Sequence, residues 1–276
     1  MPPSKNRHGL SRDIPELIKL LIRQKSGFGC VVCGLGFYDY EHVDPEYNDA
    51  IEHDPERITL LCPNHHAEVT RGRLPKSEVL RYMRNPAALK AGFSYGPLYY
   101  SGGDITVSIG DSVFTNVLYP IAVGGIPMIS IIPPEEDGPI QISAIMAGTD
   151  GSPMLTIIKN EWRANAGKWD VNTVGNRLTI RNGARDIGLR FRNNPEEGIV
   201  FERAKIGFAG LRLDVEENGS LRFGMIGSQE LGKFNAMRIS NSHIGFGIGL
   251  PPELLAAAKA WIKIQGAAFG IKDLRM

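Results

Sequence analysis

Ile58-Thr59-Leu60-Leu61-Cys62-Pro63-Asn64-His65-His66, read together with Cys30-Val31-Val32-Cys33 upstream, decides how the first quarter of this 276-residue chain folds. Cys30/Cys33 and Cys62/His65 are two C-x2-C/H knuckles separated by roughly thirty residues, a spacing that lets two tight turns present four ligands to one Zn2+. Four protein ligands close a tetrahedral shell, so a zinc held this way folds the segment and does no hydrolysis. The competing reading is three cysteines and a histidine placed independently in a core. Cys30, Cys33 and Cys62 are the only cysteines. An odd number confined to one segment fits metal ligation better than a disulfide framework.

Between the knuckles lies Tyr40-Glu41-His42-Val43-Asp44-Pro45, with an acid beside a histidine at the end of an expected strand, and His66 directly follows the second knuckle. With these residues in this order, about 45 residues of the chain resemble the HNH, or ββα-metal, nuclease family. The resemblance implies that Glu41 and His66 hold one catalytic divalent cation, Mg2+ or Mn2+, and that His42 is the general base on water. In-line attack would then leave 5′-phosphate and 3′-hydroxyl ends. Taken alone, His42 reads as a structurally satisfied histidine; its place beside Glu41 and between the knuckles reverses that reading. The sequence departs from the family at one position. Where the middle Asn usually precedes the third zinc ligand by about five residues, Arg57 stands, leaving Asn48, Asn64 or His53 to steady the histidine loop.

The overall charge of +1 gives no general attraction to polyanions, but its distribution is uneven. Lys5 to Lys25 carries six basic and two acidic residues and Arg71 to Lys90 six and one, whereas Asp39 to Glu56 is strongly acidic. An acidic strip between basic flanks suits a cation site beside phosphate-binding surface, although both flanks can equally be read as solvated helix faces. In the HNH resemblance the helix expected from about Asn64 lies along the nucleic-acid backbone. Arg71, Arg73 and Lys76 are then the phosphate contacts; the competing reading is ordinary arginines favoured at a helix C-terminus by its dipole. DNA is favoured over RNA as partner, and double-strand cleavage by one-metal sites leads to the expectation of a homodimer.

Outward from this segment, Ser11 to Lys25 reads as a helix capped by Ser11 or Asp13, with Pro15 in its first turn and Gly27 as its stop. Its apolar surface, through Leu17, Ile18, Leu20, Leu21 and Ile22, needs a packing partner, for which the following module is the nearest candidate. A further helix is expected over Lys76 to Met83. Ala91 to Pro97, with Gly92, Gly96 and Pro97, reads as a linker dividing a domain of residues 1–92 from one of 97–276. Beyond it, short runs such as Ile105–Ile109, Met154–Ile158, Leu178–Arg181 and Leu211–Val215 recur between Gly, Pro, Asn and Asp. They predict a β-rich sandwich or barrel, with stacked β-helix coils as the alternative, and a helix from Pro251 to Ile262 followed by a short tail. The fold class is therefore α+β.

The β-rich part carries no recognisable catalytic set. Trp162 and Trp169 beside charged groups read as core aromatics ahead of a binding surface. His243 is isolated, and Ser242–Gly249 fits a close-packed strand better than a phosphate loop because it lacks the P-loop lysine. No 18-residue apolar run exists and the N-terminus lacks the apolar core of a secretory signal, so a cytoplasmic protein without membrane partners is expected. The leading expectation is a nuclease whose β-rich part targets, senses or self-associates, as in a phage-related, restriction or defence effector. The second is a catalytically silent zinc module that binds nucleic acid, with the β-rich part carrying the interaction.

Overall fold

The computed structural model describes residues 4–101, 104–133 and 139–268, with side chains to residue 263. The chain is mixed α+β and dominated by strands. Its N-terminal part runs α1 (Glu16–Lys25), β1 (Asp39–His42), β2 (Ile58–Leu61), α2 (Pro63–Thr70), α3 (Lys76–Met83) and α4 (Ala87–Ala91). Then follow β3 (Phe93–Pro97), β4 (Thr106–Ile109), β5 (Ser112–Thr115), β6 (Tyr119–Val123), β7 (Ile126–Ile132), β8 (Gln141–Ala147), β9 (Pro153–Ile158) and β10 (Glu161–Asn165). The remainder comprises β11 (Asp170–Val174), β12 (Arg177–Gly183), β13 (Asp186–Asn194), β14 (Gly198–Phe208), β15 (Leu211–Val215), β16 (Leu221–Met225), β17 (Glu230–Phe234), β18 (Arg238–Ser240), β19 (Ile244–Ile248) and α5 (Pro252–Ala268). The tail expected after α5, residues 269–276, lies outside the described residues.

Two open sheets make up the β-rich part. One has seven strands in the order β19-β6-β7-β8-β9-β10-β3, the other ten strands in total, seven of them in the order β11-β12-β13-β14-β15-β16-β17 with β4, β5 and β18 joined off that path. Inward-facing residues of both, among them Ile142, Leu155, Trp162, Leu178, Phe191 and Phe201, form a single apolar cluster. Burial of this size is the main favourable term in folding. Helix α5 closes one end through buried Ala258 and the edge of Trp261 against Phe208.

Helix α1 begins later than the sequence suggests. Pro15 is its N-cap, with no side-chain cap, while the Ser11 hydroxyl accepts a hydrogen bond from the Asp13 amide. The reason is steric: a residue before proline is pushed out of the helical region, so Ile14 cannot belong to the helix. The end falls as expected, with Gly27 at φ +68° and the Phe28 amide donating back to the Arg23 carbonyl. Ile14, Ile18 and Ile22 pack on Ile58, Leu60, Tyr38 and Tyr40, whereas Leu17 and Leu21 face solvent.

The expected linker at Ala91–Pro97 is instead largely a strand. Gly92 ends α4 in the left-handed conformation, and β3 pairs antiparallel with β10 from Phe93↔Asn165 to Pro97↔Glu161. Gly96 is required there because Trp162 lies on it: a Cβ would meet the Trp162 and Phe37 rings at 2.7 Å. The glycine that made the segment look like a linker is the seat of a buried indole, and Pro97 is tolerated because β3 is an edge strand. Trp162 is accordingly a core residue at 1% exposure, and the Gly-rich run forms edge strand β19.

Candidate functional site

The two knuckles converge. In the first, the Cys30 amide donates to the Leu35 carbonyl and the Gly34 amide to the Cys30 carbonyl, a reversal that Gly34 permits at φ +84°. The Val31 amide donates to the Leu60 carbonyl, tying this turn to β2. In the second, Cys62 is the extended N-cap of α2 and Pro63 opens the helix, so Cys62 and His65 project from one turn. Cys33 Sγ and Cys62 Sγ stand 3.9 Å apart, and His65 Nδ1 lies 3.4 Å from Cys30 Sγ and 3.2 Å from Cys62 Sγ.

These distances can be tested against a shared ion. Sulfurs bound tetrahedrally at about 2.3 Å from zinc are separated by about 3.8 Å, and a sulfur and an imidazole nitrogen by about 3.6 Å. All four donor atoms lie within 4.8 Å of one another, so the set fits one zinc and can hold it. The Cys33 thiol beside it draws Cys30 down to about 5, against the opposing effect of burial, and Cys33 is raised in turn by Cys30. A cluster that already favours one thiolate is prepared for a soft cation. Val31, Val43, Leu61, Val69 and Val79 pack around it.

A second group of residues lines a cleft of about 560 Å3 on the same module. Strand β1 pairs with β2 in the register Glu41↔Thr59 and His42↔Ile58, which places the acid and the histidine at the end of the hairpin. His66, in the first turn of α2, brings Nε2 to 3.0 Å from Glu41 Oε2. Lys76, at the start of α3, reaches into the same cleft: its Nζ lies 3.3 Å from Glu41 Oε1 and 3.1 Å from Glu46 Oε1. Glu41, His42 and His66 are thus brought together, apart from the Cys/His cluster.

His42 is nearly buried, at 9% exposure. Its Nε2 lies 3.2 Å from Nδ1 of buried His53, and its ring meets the Tyr47 ring edge-on. Burial, followed by His53 and Lys76, lowers its pKa from 6.5 to about 4, so the imidazole is neutral at pH 7. Of the three residues considered for the place of the missing Asn, His53 is the one that contacts His42. Asn48 lines the cleft and Asn64 is exposed on α2. Arg57 contributes its backbone, accepting the Val43 amide, while its side chain points to Asp44 and Asp54.

The expected phosphate contacts separate. Lys76 lines the cleft, whereas Arg71 and Arg73 lie beyond its lining, with Arg73 paired to Glu68 at 3.2 Å. The sequence reading missed one further part of the site. Tyr40, on the cleft wall, accepts a hydrogen bond from Arg23 Nη1, and Arg23 makes a two-pronged ion pair with Asp170 at 2.7 and 3.1 Å. Arg181 adds a third bond to Asp170 at 3.0 Å. Asp170 lies 147 positions from Arg23, beyond the reach of any local pattern. His243 is exposed beside Tyr119, away from the cleft lining. Among the described residues no helix is long and apolar enough to cross a membrane. Comparison with family models, curated proteins and solved structures gives no match to this chain.

Proposed function

We propose that the chain is a metal-dependent endonuclease of the HNH kind, hydrolysing phosphodiester bonds in DNA, with zinc as its structural ion. One observation carries the reading: Glu41 Oε2 and His66 Nε2 stand 3.0 Å apart in a cleft that His42 also lines. The succession of β1, β2 and α2, with a knuckle before the hairpin and another at the head of the helix, supports a ββα-metal arrangement. A carboxylate and an imidazole suit Mg2+ or Mn2+ completed by water, and such a cation would supply charge neutralisation at the scissile phosphate.

The remaining chemistry belongs to the chain. His42 is neutral, and with Nε2 occupied by His53, Nδ1 is the nitrogen left to take a proton from water. As the water oxygen bonds to phosphorus, the bond to O3′ breaks and the departing O3′ takes a proton from solvent water, leaving 5′-phosphate and 3′-hydroxyl ends. Arg71 directly follows Thr70, which lines the cleft, and Arg73 lies two residues further on; both are suited to guide the backbone towards it.

The test is conversion of supercoiled plasmid to nicked circles by the zinc-loaded full chain with Mg2+ or Mn2+, beside His42→Ala. Metal-dependent nicking that the substitution abolishes is expected. Plasmid binding without nicking under either ion would instead favour the silent zinc module.

A further inference from the structure

Lys76 occupies a position that the reading as a phosphate contact does not explain. Its side chain is about three-quarters buried, and its ammonium group faces three oxygens at once: Glu41 Oε1, Glu46 Oε1 and the His42 carbonyl, to which it donates at 3.0 Å. An ammonium has three N–H donors and no acceptor; here one makes the hydrogen bond to the His42 carbonyl, while the two carboxylates face the group as ion pairs. The two oxygens of Glu41 are divided as a result. Oε1 faces Lys76, and Oε2 faces His66.

We propose that Lys76 is a resident cation of the site, a positioning residue that fixes Glu41 to offer a single oxygen to the divalent ion and sets the charge of the loaded cleft. This rests on the reading of the cleft as a nuclease centre. Glu41, Glu46 and Lys76 together carry one net negative charge. A divalent cation therefore leaves the group with one positive charge, which attracts a phosphodiester. Without Lys76 this loaded group would be neutral, and the positive charge of the cleft would fall to the one net charge that Arg12, Asp13 and Lys19 add to its wall. The arrangement weakens metal binding, because Lys76 repels the incoming ion, and strengthens substrate binding by the same charge.

The two effects have opposite signs, which separates this role from a merely structural one. On the zinc-loaded full chain, Mn2+ binding is measured from the paramagnetic resonance signal of the free ion, with Glu41→Ala to identify the site. Lys76→Gln is expected to bind Mn2+ about tenfold tighter, the lower end of what one nearby unit charge does to an ionic equilibrium. At saturating Mn2+ it should raise KM for plasmid more than it lowers kcat, and Lys76→Arg should restore both. Lys76→Met, which keeps most of the aliphatic stem, replaces Lys76→Gln if that variant melts early. Equal or weaker Mn2+ binding by the folded variant overturns the role of Lys76 and leaves the nuclease reading standing. Absence of any Glu41-dependent Mn2+ binding in the unaltered chain overturns both.

Discussion

Replacing Asp170 by Ala tests whether the β-rich part holds the cleft-bearing module in place. The side chains of Arg23 and Asp170 are 5% and 2% exposed, so the substitution leaves a guanidinium in the interior with Tyr40 as its remaining side-chain partner. Arg23 cannot escape by losing its proton: burial pulls its pKa down, but a guanidinium starts so far above neutrality that it stays charged even without Asp170. Breaking one side of a buried pair costs about 3–5 kcal/mol, a large share of the roughly 5–15 kcal/mol that holds a domain together. At about 2–4 °C per kcal/mol for a chain of this size, the melting temperature should fall by about 6–20 °C. The assay is thermal and urea unfolding followed by circular dichroism, for Asp170→Ala, Arg23→Met and the double variant. Because an apolar pair can replace a buried ion pair at little cost, the double variant should regain much of what Asp170→Ala loses. A loss below about 1 kcal/mol for Asp170→Ala, or a double variant no better than it, would refute the argument, since exposed pairs behave that way.

Removing zinc with a chelator, or substituting Cys62→Ser, should unfold the N-terminal module, because about 10–16 kcal/mol of structural zinc binding is folding free energy; one equivalent of zinc by elemental analysis and a chelator-sensitive melt check this. Gly96→Ala places a methyl group 2.7 Å from the rings of Trp162 and Phe37. It should cost about 1–3 kcal/mol of overpacking, read as a lower urea midpoint with a shift in tryptophan fluorescence. A chain ending at Pro86 lacks β3 and Asp170, and so loses both the strand pairing after α4 and the counter-ion of Arg23. It should fail to give a cooperative melt even with zinc, whereas a sharp transition would show that the module folds alone.

The Cys/His cluster and the cleft were legible because their chemistry is written in residue types that have few other reasons to stand in that order. Cys30, Cys33, Cys62 and His65 are demanding ligands at knuckle spacing, and the strand-helix boundary at Cys62-Pro63 is a local signal that survives any tertiary context. His53 was legible only as one of three candidates, since nothing local distinguishes a histidine that will meet His42 from one that faces solvent. Several of the longer strands were legible through alternation or apolar runs. Edge strand β19 was legible too, from its alternation of Gly with Ile and Phe, but β3 was not: its glycine signals a turn, and only the Trp162 ring that Gly96 meets reveals why a side chain is excluded.

Contacts across the boundary expected at Ala91–Pro97 escaped notice for the same reason that Asp170 did. A linker is inferred from composition, but attachment is decided by burial, and the buried contacts here run across the expected boundary. Arg23 meets Asp170, the Gln24 side chain donates to the Trp169 carbonyl at 2.8 Å, and Tyr95 of β3 exchanges backbone hydrogen bonds with Gly34 and Gly36 beside the first knuckle. The turn bearing Cys30 and Cys33 is thereby held by one sheet, and the helix behind Tyr40 by the edge of the other.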